Sequence, residues 1–171
     1  MKSLPINRSI APIRRQLALA WSATDRVPAM FKVAFATSDR VSVNQHFGAS
    51  AGFAIYAVDG ERSRLVEVAE YPAESYQNSM DGNENKLAER IAALADCAAV
   101  YCLAVGGSAV RQLLASGVQP VRLENACAID ALLLELRRAI NVGGVAWVDQ
   151  RVKREAPASR FDRMAEEGWQ E

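Results

Sequence analysis

The sequence predicts an α/β protein built on one mixed β-sheet with helices packed against it. Two observations support this class. Three β-rich segments come first and are followed by two units of β-strand and helix, so the predicted order of elements is β-β-β-α-β-α-β-α. In addition, residues 98–105 form a continuous apolar run, which is typical of a strand buried on both faces of a parallel sheet.

The first three strands form an antiparallel meander. Residues 31–36 and 52–58 are rich in β-branched and aromatic side chains, which favour a strand. Asp59-Gly60 is a hairpin signal, and it places a third strand over residues 64–68 antiparallel to the second.

Helical periodicity begins in the second half of the chain, where Leu87, Ile91 and Leu94 share one helix face. The predicted elements are a helix over 84–95, a strand over 98–105, a helix that ends at Gly117, a strand over 118–123 and a helix that ends at Gly143-Gly144. The later strands should run parallel to the first. This order is that of the ribonuclease H-like architecture, with a mixed five-stranded sheet made of a three-strand antiparallel meander, two parallel strands and flanking helices.

The length of 171 residues suits one domain with a single core. We assign residues 1–30 to a basic, loosely structured N-terminal arm, residues 31–144 to the ribonuclease H-like domain, and residues 145–171 to a charged C-terminal tail. Residues 71–85 form a long polar loop, which is either a lid over a site or a crossover without regular structure.

Charge and composition exclude several classes of protein. Residues 1–30 carry five basic and one acidic side chain, and residues 151–171 carry five of each sign, which leaves a charge of −4 on residues 31–150. An acidic body argues against a nucleic-acid partner. No apolar run approaches the roughly 20 residues needed to span a bilayer, and the start has no apolar signal core, so we expect a cytoplasmic protein without a membrane partner.

His46, in the run Asn44-Gln45-His46-Phe47-Gly48, is the main candidate for a functional residue. Its loop follows the first parallel strand, and ligands of such sheets bind beyond the carboxyl ends of the strands. The turn Gly106-Gly107 should meet the loop at that edge. Imidazole is a common ligand of iron and other transition metals. A polar turn residue without a function is the alternative from residue chemistry alone.

Other constellations carry weaker signals. The predicted strands over 31–36 and 98–105 lack the carboxylates that a metal-dependent nuclease needs. Gly106-Gly107 could present N–H groups to an anion or simply form a tight turn. The three cysteines contain no CxxC pair, which argues against a structural zinc site. Cys102 and Cys127 remain candidate second ligands, and we expect Cys127 to open the last helix. A Cys102–His46 nucleophilic pair would make the protein an enzyme.

Three segments together resemble a known family: residues 31–39, the (V)NQHFG run over 43–48, and the YCxAVGGSA run over 101–109. The similarity covers about residues 31–141, and it is to the dinitrogenase iron–molybdenum cofactor biosynthesis family, in its NifX-like branch. The resemblance implies a ribonuclease H-like fold and no catalysis. It also implies binding of an iron–sulfur precursor of FeMo-cofactor (NifB-cofactor type) or of FeMo-cofactor itself, with a NifB-like cluster synthase and a NifEN-like scaffold as partners.

The resemblance makes His46 the expected cluster ligand. An anionic cluster would also favour the N–H groups near Gly106-Gly107 and a nearby cation, for which Arg40 and Arg111 are candidates. The remaining residues that we assign to the binding site are Asn44, Phe47, Gly48 and Cys102. The main alternative is a regulatory or chaperone-like protein that binds nitrogen-fixation partners without holding a cluster.

Overall fold

The computed structural model describes residues 13–16, 31–72 and 82–155. The strands are β1 (Ile13–Gln16), β2 (Phe31–Ala36), β3 (Ser42–Val43), β4 (Gly52–Val58), β5 (Ser63–Glu70), β6 (Cys97–Cys102), β7 (Gln119–Arg122) and β8 (Cys127–Ala128). The helices are α1 (Gly82–Ala93), α2 (Gly107–Ala115), α3 (Ile129–Val142) and α4 (Ala146–Glu155).

The main sheet is mixed, with the strand order β1-β5-β4-β2-β6-β7. β2, β4 and β5 form the predicted antiparallel meander. β6 lies parallel to β2, and β7 lies parallel to β6. The α/β class, the five predicted strands and their directions are therefore confirmed, whereas the ribonuclease H-like label stays a prediction.

The sheet has one strand more than the five predicted. β1 comes from the segment assigned to a loosely structured arm, and it pairs antiparallel with β5 from Ile13 opposite Glu70 to Gln16 opposite Glu67. The sequence IRRQ has no apolar alternation that would predict a strand. The strand is explained instead by backbone pairing with the open edge of β5. A second, two-stranded sheet joins β3 to β8, so the polar stretch after β2 is tied to the start of α3.

Alternate side chains of the central strands enter two cores, one on each face of the sheet. Phe35 and Tyr101 pack on one face with α3 and α4, while Phe47 and Val100 pack on the other with α1 and α2. α4 belongs to the predicted charged tail, yet Val148 is fully buried and Trp147 packs beside Phe31.

No helix among the described residues is long and apolar enough to cross a membrane. Most of the predicted polar loop, residues 73–81, lies outside the described residues, as do most of the N-terminal arm and the end of the tail. The lid interpretation of that loop and the division into arm, domain and tail therefore stay predictions.

Candidate functional site

The loop between β2 and β4 meets the turn between β6 and α2 at the carboxyl edge of the parallel strands. The N–H of Phe47 donates to the carbonyl of Ala104 at 2.8 Å, and the N–H of Leu103 donates to the carbonyl of Gln45 at 3.0 Å. The two predicted ligand-facing segments are thus in direct contact, and the residues on either side of His46 are bonded to the β6–α2 turn.

Asp39 organises the first half of the loop. Its carboxylate accepts hydrogen bonds from the N–H groups of Val41 and Ser42, each at 2.8 Å, and from the hydroxyls of Ser42 and Thr37. These bonds favour the charged form and hold the pKa of Asp39 well below its ordinary value, with the Ser42 N–H as the largest cause. The carbonyl of Val41 in turn accepts from the first N–H of α3 at 2.9 Å.

His46 is exposed, while the next residue, Phe47, is fully buried. The Phe47 ring lies 5.5 Å from the ring of Phe53, centroid to centroid, in the core beneath the loop. The alternation of an exposed imidazole and a buried anchor presents His46 to solvent on a backbone that packing and hydrogen bonds fix.

Two neighbours in the motif serve the loop itself. The side chain of Asn44 accepts a hydrogen bond from the N–H of Ser38 at 3.0 Å and donates to the side chains of Ser38 and Asp39. Gly48 is exposed, its φ is not positive, and a Cβ built on it would have no neighbour within 4 Å. Neither strain nor crowding in this structure therefore requires glycine at position 48.

Gly106, Gly107 and Arg111 are all exposed on the β6–α2 side of the edge. α2 begins at Gly107 with no side-chain cap hydrogen bond and no acidic residue in its first turn. Its first N–H groups and the positive end of its dipole consequently face the same edge as the His46 loop, an arrangement that favours an anion.

The cysteines fit a structural role better than a chemical one. Burial raises the pKa of the Cys102 thiol to about 11, and the opposing backbone hydrogen bond from Phe47 is smaller. At neutral pH the thiol is protonated and covered, which disfavours both metal ligation and attack on a substrate. Cys127 does not open a helix as predicted, since it pairs with Val43 in the β3–β8 sheet, two residues before α3.

Arg40 lies apart from the other candidates, on a cleft of about 220 Å³ between the loop and the ends of β4 and β5. It is the one described non-glycine residue with a positive φ, 62°, and its guanidinium forms an ion pair with Glu70. Of the residues predicted for the site, only Arg40 lines this cleft. His46 and Gly106-Gly107 lie outside it.

The described residues contain no group of three or more His, Cys, Asp or Glu side chains that could hold a metal ion. His46 therefore does not belong to a described three-ligand side-chain site.

Two residues that shape this edge were not predicted. For Asp39 a local signal exists, because an Asp followed three residues later by Ser, here Ser42, is typical of a turn. Glu70 is thirty positions from Arg40 along the chain, and no local pattern indicates that pair.

Known proteins of one family resemble this chain over most of its length. Residues 30–138 match the family model described as dinitrogenase iron-molybdenum cofactor. The chain is 46% identical over 159 residues to protein NifX of Azotobacter vinelandii, across 92% of this chain and 97% of that protein. It is 33% identical over 163 residues to protein NifX of Klebsiella pneumoniae, across 91% and 92% of the two chains.

A solved structure described as the crystal structure of PH0822 resembles this chain with a TM-score of 0.47 and 22% identity, over 63% of this chain and 89% of that one. The family match and the two relatives decide the assignment. The chain belongs to the dinitrogenase iron–molybdenum cofactor family, in its NifX-like branch.

Proposed function

We propose that this protein acts in nitrogenase FeMo-cofactor biosynthesis, where it binds an iron–sulfur precursor of the cofactor and carries it between assembly proteins without catalytic turnover. The precursor, of the NifB-cofactor type, is cargo. A NifB-like synthase would supply it and a NifEN-like scaffold would receive it, in the cytoplasm. The observation that carries the proposal is His46, the chain's one histidine, exposed on a fixed loop.

A single imidazole ligand suits a carrier, because a carrier must release its cargo and one ligand is exchanged more easily than several. Closed sites with several thiolate ligands hold metal as part of the folded structure. One imidazole leaves most of the metal coordination to the cargo's own sulfides and to groups on the receiving protein. Exchange of one ligand then completes the transfer.

Charge at the edge supports an anionic cargo. The first turn of α2 contains no acidic side chain, and Arg111 on the same helix is an exposed cation, whereas Arg40 is paired with Glu70. Iron–sulfur clusters with sulfide and thiolate ligands are anions, so both features lower the free energy of the bound state.

The test is anaerobic loading of purified protein with isolated NifB-cofactor-type precursor, followed by gel filtration and iron analysis. Purification must use a tag without histidines, so that His46 stays the one imidazole. The parent should retain iron and brown colour, and His46→Ala should lose on the order of tenfold in affinity. Gln45→Ala is the matched control, because Gln45 is the neighbouring loop residue. Retention of cargo by His46→Ala equal to the parent would refute the ligand assignment.

The alternative is a regulatory or chaperone-like role in which the protein binds nitrogen-fixation partners and holds no cluster. The lack of a three-ligand group among the described side chains favours it. In the same experiment it predicts that the parent retains no iron, while a pull-down still recovers a NifEN-like scaffold.

A further inference from the structure

Arg90 on α1 is buried to an extent that arginine rarely reaches without an ion pair. It is 2% exposed. Among the side chains that the structure describes, no carboxylate lies within ion-pairing distance of it. Its guanidinium instead donates to the carbonyl of Ser50 at 3.0 Å and to the carbonyl of Lys86 at 3.4 Å, and its Nε has no hydrogen-bond partner in the described part of the chain.

The contacts of Arg90 place this charge directly under the loop edge. Ser50 ends the loop that contains His46, and its N–H donates to the carbonyl of Phe47 at 3.4 Å. The guanidinium carbon lies 4.3 Å from the centre of the Tyr71 ring. Tyr71 lines the cleft beside Arg40, and its N–H donates to Ala51 at 2.8 Å. One side chain thus contacts both the His46 loop, at Ser50, and the cleft beside Arg40, at Tyr71.

Packing alone does not explain a guanidinium at this position. Methionine would fill similar space without desolvating a charge, and buried ions that lack a counter-charge are unfavourable. The positive charge is fixed, shielded from water and therefore poorly screened by salt, unlike the exposed Arg40 and Arg111.

We infer that Arg90 is a positioning and selectivity residue for the proposed carrier: it holds the Ser50 end of the His46 loop and supplies a permanent positive charge that selects anionic cargo. This inference rests on the proposed function. No described carboxylate neutralises Arg90, so the cargo provides the counter-charge and binding is favoured in proportion to the cargo's negative charge.

The test uses two synthetic cubane iron–sulfur clusters with the same core. One is capped with four thiolates whose substituents are uncharged and is dianionic, and the other is capped with four ammonium-bearing thiolates and is dicationic. Binding of each is measured anaerobically for the parent, Arg90→Met, Arg90→Lys and the control Lys153→Met, which removes the same charge from α4. Thermal unfolding of each variant verifies its fold, and Arg90→Gln replaces Arg90→Met if the latter is unfolded.

Arg90→Met should lose on the order of tenfold in affinity for the dianionic cluster and should gain affinity for the dicationic one, because removal of a positive charge removes attraction in the first case and repulsion in the second. Arg90→Lys should keep most of the affinity, and Lys153→Met all of it. Equal losses for both clusters, or no loss, would overturn the selectivity role. His46→Ala separates the two proposals: if it binds the dianionic cluster like the parent while Arg90→Met does not, the ligand assignment falls and the role of Arg90 stands.

Discussion

Replacement of Phe47 by alanine tests whether the buried ring anchors the His46 loop. Phe47 is 0% exposed and packs 5.5 Å from Phe53, so the change removes a complete core side chain and an aromatic pair. Phe→Ala substitutions in cores cost about 3–5 kcal/mol. For a chain of this size we therefore expect the melting temperature to fall by roughly 10 °C.

The assay is equilibrium urea unfolding followed by circular dichroism, with cargo binding measured on the folded fraction. Phe47→Leu is the matched control, because it keeps most of the apolar volume and should cost less than about 1.5 kcal/mol. His46→Ala should leave stability within about 0.5 kcal/mol, since His46 is exposed. A loss below about 1 kcal/mol for Phe47→Ala would refute the anchor, because a ring that contributes so little cannot fix the loop.

Three further predictions concern the surroundings of the loop. Glu70→Gln releases Arg40 from its half-exposed ion pair, so binding of the anionic precursor should strengthen about two- to fivefold at low salt, and an unchanged affinity would exclude Arg40 from the site. Cys102 should resist iodoacetamide at pH 8 in the folded protein, while half-buried Cys127 reacts. Because the pKa of Cys102 rises on folding from 9.0 to about 11, the contribution of this thiol to stability should be complete below pH 9 and lost as the pH rises to 11. Urea unfolding at several pH values measures this loss. Gly52→Ala should destabilise the protein by about 1–3 kcal/mol in urea unfolding, since the new Cβ would lie 2.7 Å from a carbonyl oxygen of β5, and a neutral result would show that β4 and β5 can separate there.

The order of elements and the meeting of the two loops could be predicted because their signals are local. Continuous apolar strands and periodic helix faces fix the element types, and the parallel β-α-β connection then brings the carboxyl ends of β2 and β6 to one edge. The exposed His46 beside a buried Phe47 is the ordinary outcome for a polar and an apolar side chain next to each other in a loop.

What could not be predicted depends on contacts between distant parts of the chain. β1 exists because the edge of β5 offers unpaired backbone groups, and nothing in the sequence IRRQ indicates this. Cys127 pairs with Val43 in the β3–β8 sheet and therefore does not lie at the start of α3. The burial of Arg90 could not be predicted, because a charged residue on an amphipathic helix is ordinarily exposed, and only the assembled core shows that this one is buried.

The pairing of β1 with β5 has a practical consequence for any shortened form of the protein. The family model begins at residue 30, and a version cut at that point would lack β1. β5 would then present an eight-residue edge, Ser63–Glu70, with its backbone donors and acceptors exposed to solvent. Such an edge invites pairing with a second molecule, so the shortened protein should self-associate through it. In the whole chain, the four-residue β1 covers the Glu67–Glu70 half of that edge.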